Sequence, residues 1–211
     1  YNKTTGSTGT FQNWGLIRCQ NQTNNYGTGT TTSDNYNFTA DGTGVDFIVQ
    51  DSGIQTDHPE FQDSGGSNRW STVDWYTASG VSGSQNANHD RDYDGHGTHC
   101  AGIAVGKTFG HAQGAKIYGQ KLSGLEGTGD SGTGISITDA FDCIKGWHNA
   151  KSGANAGRPT VVNMSWGYNT SHNDLPSALN YRGSVKTGTD IDTQAKLQSF
   201  GFTTYQQSGV Y

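Results

Sequence analysis

The feature that most constrains the fold of this chain is a short apolar run that ends in an acidic residue and a glycine. Residues 45–53 read Val-Asp-Phe-Ile-Val-Gln-Asp-Ser-Gly. β-branched and aromatic residues in a run of this length, followed at once by turn residues, are typical of a buried strand in a parallel sheet. Asp51 then lies at the carboxyl end of that strand, where functional crevices form in open α/β sheets. The run therefore predicts an α/β fold with a candidate functional carboxylate at Asp51.

A second stretch places a histidine in an unusual backbone setting. Residues 94–102 read Asp-Gly-His-Gly-Thr-His-Cys-Ala-Gly, so His96 stands between two glycines at the start of a predicted helix. Glycine neighbours let substrate and backbone approach closely, and a helix fixes the ring's orientation, as a general base requires. A carboxylate such as Asp51 can accept a hydrogen bond from the ring and stabilise its protonated form. We therefore predict that Asp51 and His96 form a catalytic pair.

These stretches resemble the subtilisin family of serine proteases, and most closely its proteinase K branch. The matching residues follow the family's order and read Trp-Gly-Leu-Ile-Arg at 14–18, Asp-Ser-Gly at 51–53, His-Pro-Glu-Phe at 58–61, His-Gly-Thr-His-Cys-Ala-Gly at 96–102 and Asn-Met-Ser-Trp-Gly at 163–167. The resemblance implies a subtilisin-like parallel sheet flanked by helices, and a serine endopeptidase that acts on protein or peptide substrates. It also implies the order Asp, His, Ser, which is that of subtilisin itself, with Asp51 orienting His96 as the general base.

The resemblance does not extend to the nucleophile. The family's Gly-Thr-Ser-Met-Ala segment and the segment that carries its oxyanion-hole Asn are both absent from residues 1–211. We therefore expect the catalytic Ser on polypeptide that follows residue 211, and a domain that is incomplete and unstable without this C-terminal part. Ser184 and Ser208 each adjoin a glycine but lack the nucleophile segment. The alternative is a catalytically inactive structural or binding module in an extracellular or virion assembly.

The resemblance also implies where a substrate would bind. The predicted strand at 160–164 ends in Ser-Trp-Gly, and this edge is expected to hold an extended peptide through main-chain hydrogen bonds, while side-chain pockets discriminate. The glycine-rich stretch 126–134 either pairs with substrate or is a flexible loop. Trp166 stands where the family usually has Leu, so we expect the indole to narrow or cap the specificity pocket. The predicted substrate-binding residues are Ser165, Trp166, Gly167 and Gly132.

Composition narrows the class of protein further. Glycine accounts for 32 of the 211 residues, and charged residues make up only 15%, which is typical of loop-rich extracellular proteins. A net charge of −5 without a Lys/Arg cluster predicts no nucleic-acid binding. No apolar run approaches the roughly 18 to 20 residues that cross a membrane. We expect a secreted or virion-associated protein whose catalysis requires no cofactor.

The acidic loop before His96 is a candidate for structural calcium. Residues 90–95 read Asp-Arg-Asp-Tyr-Asp-Gly, like the first half of an EF-hand loop, but position twelve is Ala101 where an EF-hand requires Glu. A calcium site of another type, using some of these carboxylates, stays open. Zinc is not expected, because His96 and His99 stand three apart without the intervening Glu of the zinc-protease motif.

The three cysteines cannot all pair within this chain. They are Cys19, Cys100 and Cys143, so at least one is a free thiol or is paired outside the chain. Cys143 adjoins an apolar helical stripe and is expected to be buried. By resemblance, we expect Cys100 to remain a thiol near His96.

The order of segments predicts three regions. Residues 1–13 form an N-terminal arm, residues 14–182 form the N-terminal portion of a subtilisin-like peptidase domain, and residues 183–211 form an insertion or an extended arm. Periodicity predicts further strands within 69–75 and 112–122. A helix is predicted after Ser136 and another near 175–181. The first of these helices has one apolar face, formed by Ile137, Ala140, Phe141, Ile144 and Trp147.

Overall fold

The computed structural model describes residues 2–4, 15–16, 19, 35–125, 133–167 and 178–200. The chain divides into two compact units, with the boundary between Ser165 and Trp166. Of the predicted arm at 1–13, only strand β1 (Asn2–Thr4) is described, and it pairs antiparallel with β2 (Asn35–Asn37). The three-region division predicted from the sequence stays a prediction.

The centre of the first unit is a parallel sheet of three strands. Its members are β3 (Asp46–Asp51), β4 (Lys116–Lys121) and β5 (Thr160–Asn163), in the order β4-β3-β5. The register places Asp51 opposite Lys121 and Val49 opposite Asn163, so the carboxyl ends of all three strands lie at one edge. This confirms the α/β fold with a parallel sheet and the position of Asp51 at the end of its strand.

Helix α2 (His96–Val105) packs against one face of this sheet. Its buried Ala101 and Val105 join Phe47 and Val49 in the hydrophobic core. Gly97 permits the close approach, because a Cβ at this position would collide with the Gly53 carbonyl oxygen. Residues alternate across a strand, so Asp51 points to the same face as Val49. The packing thereby brings the first turn of α2 against Asp51.

Helices α1 (Trp75–Ser79) and α3 (Ile137–Asn149) cover the opposite face. The Trp147 ring lies 5.5 Å from that of Trp75 and 4.8 Å from that of Tyr118, a strand residue on that face. Ser136 caps α3 by accepting a hydrogen bond from the Asp139 N–H, as the sequence predicts. Cys143 is buried in α3 as expected, but Phe141 is 48% exposed. The prediction that Phe141 belongs to the covered face is therefore wrong.

The predicted strand at 69–75 is also wrong. Trp70 makes only an isolated parallel bridge with Ile117, and Trp75 begins α1 with Asp74 as its N-cap. The buried Arg69 explains the difference, because its guanidinium donates hydrogen bonds to backbone carbonyls of three other segments, at Glu60, Val105 and Ala115. The segment thus joins the edge of the sheet at a single bridge to β4, and it ties several other elements together in place of a full strand.

The second unit contains a hairpin and a short helix. Strands β6 (Ala178–Tyr181) and β7 (Ser184–Thr187) pair antiparallel, and α4 (Gln194–Ser199) follows. The predicted helix near 175–181 is wrong over 178–181, because Arg182 and Gly183 both have positive φ and turn the chain into a hairpin. The stretch predicted as an insertion or extended arm buries Ile191 and Leu197. Among the helices of the described residues, none has the length and hydropathy needed to cross a bilayer.

Candidate active site

The structure brings Asp51 and His96 together at the carboxyl edge of the sheet. The His96 Nδ1 atom lies 2.8 Å from Asp51 Oδ1, although 45 residues separate the two in sequence. A carboxylate only accepts hydrogen bonds, so the geometry places the proton on Nδ1 and leaves Nε2 free as an acceptor. The Asp51 side chain is 1% exposed and that of His96 is 49% exposed. The pair therefore presents a ring that can accept a proton from solvent or substrate while its other nitrogen is anchored.

The surroundings of His96 favour its protonated form. The hydrogen bond to Asp51 and the charge of that carboxylate raise the pKa of His96 above its ordinary value. Burial lowers this pKa, but by less. The charges of Asp94 and Asp92 raise it further. The Ser52 N–H also donates to Asp51 Oδ1, at 2.7 Å, which fixes the carboxylate. This is the arrangement expected of a base whose imidazolium must be stabilised during proton transfer.

Asp92 connects the loop before His96 to the segment after Asp51, and the sequence reasoning missed this role. Its carboxylate accepts hydrogen bonds from the hydroxyls of Ser52 and Thr98 and from three backbone N–H groups, those of Asp94, Gly95 and Thr98. The sequence pattern indicates this acidic residue, four positions before His96, only as a candidate calcium ligand. Ser52, which donates to this carboxylate, is 40 residues away in sequence, so no local sequence pattern indicates the hydrogen bond between them.

The hydrogen bonds to Asp92 also affect whether this loop can bind calcium. Both carboxylate oxygens of Asp92 already accept hydrogen bonds from protein donors. Asp90 accepts a hydrogen bond from the Thr72 hydroxyl, and burial raises its pKa, which disfavours the charged form that a calcium ligand requires. A structural calcium at these carboxylates stays a prediction.

Cys100 lies beside the candidate base, as a thiol. Its Sγ atom is 3.8 Å from His96 Nδ1 and 3.9 Å from Nε2. Burial raises the pKa of Cys100, and a hydrogen bond with Ser165 lowers it by less, so the net pKa is raised. The thiol is therefore a poor nucleophile near neutral pH. Among the described residues, one set of three side chains has its ligand-type atoms within 4.8 Å of one another, and it consists of Asp51, His96 and Cys100. Because two of the three already share a hydrogen bond, we interpret the set as an acid–base pair with an adjacent thiol.

The predicted substrate-binding residues are distributed over different parts of the structure. Ser165 lies at the end of the first unit, next to Cys100, on the segment that follows β5. Trp166 and Gly167 begin the second unit. Gly132 lies outside the described residues. Within the first unit, the structure brings Ser165 near the Asp51–His96 pair through Cys100.

A cavity of about 1010 Å³ adjoins helix α2. Thr98, His99, Gly102 and Ile103 of this helix contribute to its wall, whereas Asp51 and His96 do not. The candidate base is therefore not part of the cavity wall.

Comparison with known proteins shows the family to which the chain belongs. The subtilase family model, peptidase family S8, matches residues 42–198, which include Asp51 and His96. Proteinase R of Parengyodontium album is 32% identical over 172 residues, which are 81% of this chain and 38% of the relative. A cuticle-degrading protease of Metarhizium anisopliae is 32% identical over 180 residues, 84% of this chain and 40% of the relative.

A third relative is the cuticle-degrading serine protease of Arthrobotrys oligospora, 35% identical over 137 residues, which are 63% of this chain and 29% of the relative. The chain thus spans less than half the length of each of these proteases. The family match covers well over half of this chain. The chain therefore belongs to the subtilase family of serine peptidases.

Proposed function

We propose that this chain supplies the acid–base pair of a serine endopeptidase, with His96 as general base and acid and Asp51 as its orienting carboxylate. The observation that carries the proposal is the 2.8 Å contact from His96 Nδ1 to a fully buried Asp51, with the rest of the ring exposed. Family membership and the names of the relatives support peptide-bond hydrolysis as the reaction.

In the proposed reaction, His96 Nε2 takes the proton of a serine hydroxyl as the serine oxygen attacks the substrate carbonyl. Asp51 stabilises the positive charge that the ring acquires, and His96 then gives the proton to the leaving amine. A water molecule, activated by the same nitrogen, hydrolyses the acyl-enzyme. Histidine and serine suffice for these steps, so the proposal includes no cofactor.

The nucleophile is proposed to reside on polypeptide after residue 211. The family's Gly-Thr-Ser-Met-Ala segment is absent from residues 1–211, and the relatives are more than twice as long as the part matched here. The C-terminal remainder of the domain is therefore the partner that the proposal requires. An inactive binding module is the alternative that the following experiment separates from it.

The test is to treat the native protein with a fluorophosphonate, which reacts with activated serines, and to identify the labelled peptide by mass spectrometry. We expect the label on a serine in a Gly-Thr-Ser-Met-Ala peptide outside residues 1–211. The His96→Ala variant should lose labelling, whereas His99→Ala, which changes an exposed histidine of the same helix, should retain it. Absence of label on any serine of the folded native protein would refute the proposal and favour the inactive module.

For substrate binding, we propose that the segment at Ser165, Trp166 and Gly167 holds an extended peptide, together with Gly132. Support comes from the position of Ser165 beside Cys100 and His96, at the end of a parallel strand. Trp166 is proposed to narrow the specificity pocket. A library of peptide substrates tested on Trp166→Leu should show a shift toward larger side chains before the cut. An unchanged preference would contradict this role.

An extracellular location is proposed as well. The low fraction of charged residues and the high glycine content support it. Two relatives are named for degrading cuticle, a material that lies outside the cell.

A further inference from the structure

One carboxylate lies at the junction between the two segments that carry the catalytic pair. Asp92 Oδ1 accepts the Ser52 hydroxyl at 2.9 Å, the Gly95 N–H at 2.9 Å and the Asp94 N–H at 3.2 Å. Asp92 Oδ2 accepts the Thr98 N–H at 2.9 Å and the Thr98 hydroxyl. Five donors thus converge on one side chain, which is half-buried.

These contacts replace the capping that α2 lacks. Gly95, the N-cap residue of α2, has φ of 89° and no side chain to accept a hydrogen bond from the first turn. Helix N-termini have unpaired N–H groups that must find acceptors elsewhere. Asp92 supplies the acceptor for the N–H of Thr98, and Ser52 Oγ supplies it for the N–H of Gly97. His96 lies within this first turn, so the orientation of its backbone depends on these acceptors.

The same side chains also reach the segment that follows Asp51. Ser52 Oγ donates to Asp92 while it accepts from Gly97, so it joins strand β3 to α2 in one step. Thr98 Oγ1 donates to Asp92 and accepts the Gln55 N–H at 2.9 Å. Two hydroxyls, one on each segment, thereby connect the end of β3 to the start of α2 through Asp92.

We propose that Asp92 is a positioning residue that sets the hydrogen bond between Asp51 and His96 by fixing the first turn of α2 against the end of β3. The proposal rests on the function proposed above for the pair, but its geometry stands on its own. Asp92 acts through Ser52 and Thr98 and does not itself touch the ring.

An amide cannot take the place of this carboxylate. All five partners of Asp92 donate, so Asn would direct its NH₂ group at two or three donors that then lack an acceptor. Losing an acceptor for a group at this site destabilises the local arrangement. The hydrogen bonds to Thr98, Gly95 and Ser52 also lower the pKa of Asp92, although burial by itself would raise it. The carboxylate therefore stays ionised when the neighbouring base works.

A charge effect must be separated from a positioning effect, and Asp94 provides the control. Asp94 is exposed, it lies two residues before His96, and its charge raises the pKa of His96 more than the charge of Asp92 does. If Asp92 acted by charge alone, Asp92→Asn would lower the pKa of His96 by no more than Asp94→Asn. If Asp92 positions the ring, Asp92→Asn also weakens the hydrogen bond to Asp51, which is the largest cause of the raised pKa.

The experiment is a titration of His96 by NMR in the native protein carrying ¹³Cε1-labelled histidine, with the His96 signal assigned from a His96→Gln variant. We expect a larger fall of the His96 pKa in Asp92→Asn than in Asp94→Asn. Thermal unfolding of each variant reports the purely structural part of the effect. A pKa shift in folded Asp92→Asn no larger than that in Asp94→Asn would overturn the proposal. This readout requires no catalytic activity, so it is independent of the outcome of the serine-labelling test.

Two substitutions at the Thr98 hydroxyl keep the test decisive if Asp92→Asn does not fold. Thr98→Val removes the hydroxyl at constant shape, and Thr98→Ser keeps it. We expect Thr98→Val to lower the pKa of His96 and Thr98→Ser to leave it near that of the wild type. Where the native protein is active, misplacement of the base should lower kcat by on the order of 10²-fold with little change in KM. Equal His96 titrations in Thr98→Val and Thr98→Ser would contradict the proposal.

Discussion

At His96, the hydrogen bond to Asp51 determines which ring nitrogen carries the proton, and it is also the largest cause of the ring's raised pKa. The raised pKa means that the neutral base form predominates only at a pH above the ordinary midpoint of histidine, about 6.5. The proposed protease should therefore show kcat/KM that rises with pH through this raised pKa. Below it the ring is protonated and cannot take the serine proton.

Replacing Asp51 by Asn should change this profile in two ways. The loss of the carboxylate moves the midpoint to lower pH, because both the hydrogen bond and the charge that raise the pKa of His96 are lost. The ring also loses its fixed tautomer, and kcat should fall by on the order of 10⁴, as for the same change in a serine protease of another fold. Kinetics of the native protein over a range of pH would measure both effects. A midpoint that does not move in Asp51→Asn would show that this carboxylate does not control the base.

Gly97 shows how a residue without a side chain sets the geometry of the pair. A Cβ at Gly97 would overlap the Gly53 carbonyl oxygen and lie 3.0 Å from Asp51 Cβ, whereas a Cβ at Gly102 of the same helix meets nothing within 4 Å. We expect Gly97→Ala to displace α2 and to lower both thermal stability and activity. Gly102→Ala should be neutral or should stabilise by about 0.5 to 1 kcal/mol. Thermal unfolding of the two variants provides the comparison, and similar stabilities would contradict the packing described.

Among the elements, β3 begins at a buried cluster of charges opposite its catalytic end. Asp46 is fully buried, and its two oxygens lie 2.6 Å from Lys151 Nζ and 2.8 Å from Arg158 Nε. Lys151 also donates to the Thr160 hydroxyl at the start of β5. The cluster thus connects the start of β3, the start of β5 and the segment that follows α3.

Replacing the buried acid of this cluster should lower the free energy of unfolding far more than replacing an exposed acid. Asp46→Asn leaves Lys151, whose side chain is 4% exposed, without its counter-charge. We expect a loss of about 3 to 5 kcal/mol in the free energy of unfolding, the range for a buried pair that loses one partner. Asp142→Asn removes the same charge from the exposed surface of α3 and should change stability by less than about 0.5 kcal/mol. Urea unfolding of the two variants measures the difference, and equal losses would contradict a structural role for the cluster.

The elements also show how far the sequence predicts the structure. Strands β3, β4 and β5 are predicted by their apolar patterns, and α3 by its apolar face and its Ser136 cap, because these are local signals. Helix α2 is predicted by the glycine-flanked stretch at His96, although it has no side-chain cap. The segment at 69–75 is not predicted correctly, because buried Arg69 hydrogen-bonds to distant carbonyls and overrides the local alternation. Asp51 and His96 could be predicted from their motifs. The network around Asp92 could not, since its geometry exists only once β3 and α2 have packed.

For the molecule as a whole, the open edge of the sheet has the largest consequence. In the part of the chain that the structure describes, strand β5 lies at one edge of the sheet. Val161 in this strand is 49% exposed, and Met164 just after it is 47% exposed. A parallel sheet is ordinarily covered on both faces, so its strands are buried. Exposed apolar surface along an edge strand is a site for association with further chain. This agrees with a chain that spans less than half the length of its relatives.

The isolated 211-residue chain should therefore behave as an incompletely packed protein. We expect it to bind the dye ANS, which reports exposed apolar surface, and to unfold in urea over a broad transition. Val161→Thr should reduce ANS binding, because it makes the open edge more polar. Val185→Thr, at a residue that is 66% exposed in the hairpin of the second unit, should have less effect. A sharp cooperative transition without ANS binding would show that residues 1–211 complete their own core, and would remove the structural argument for a C-terminal partner segment.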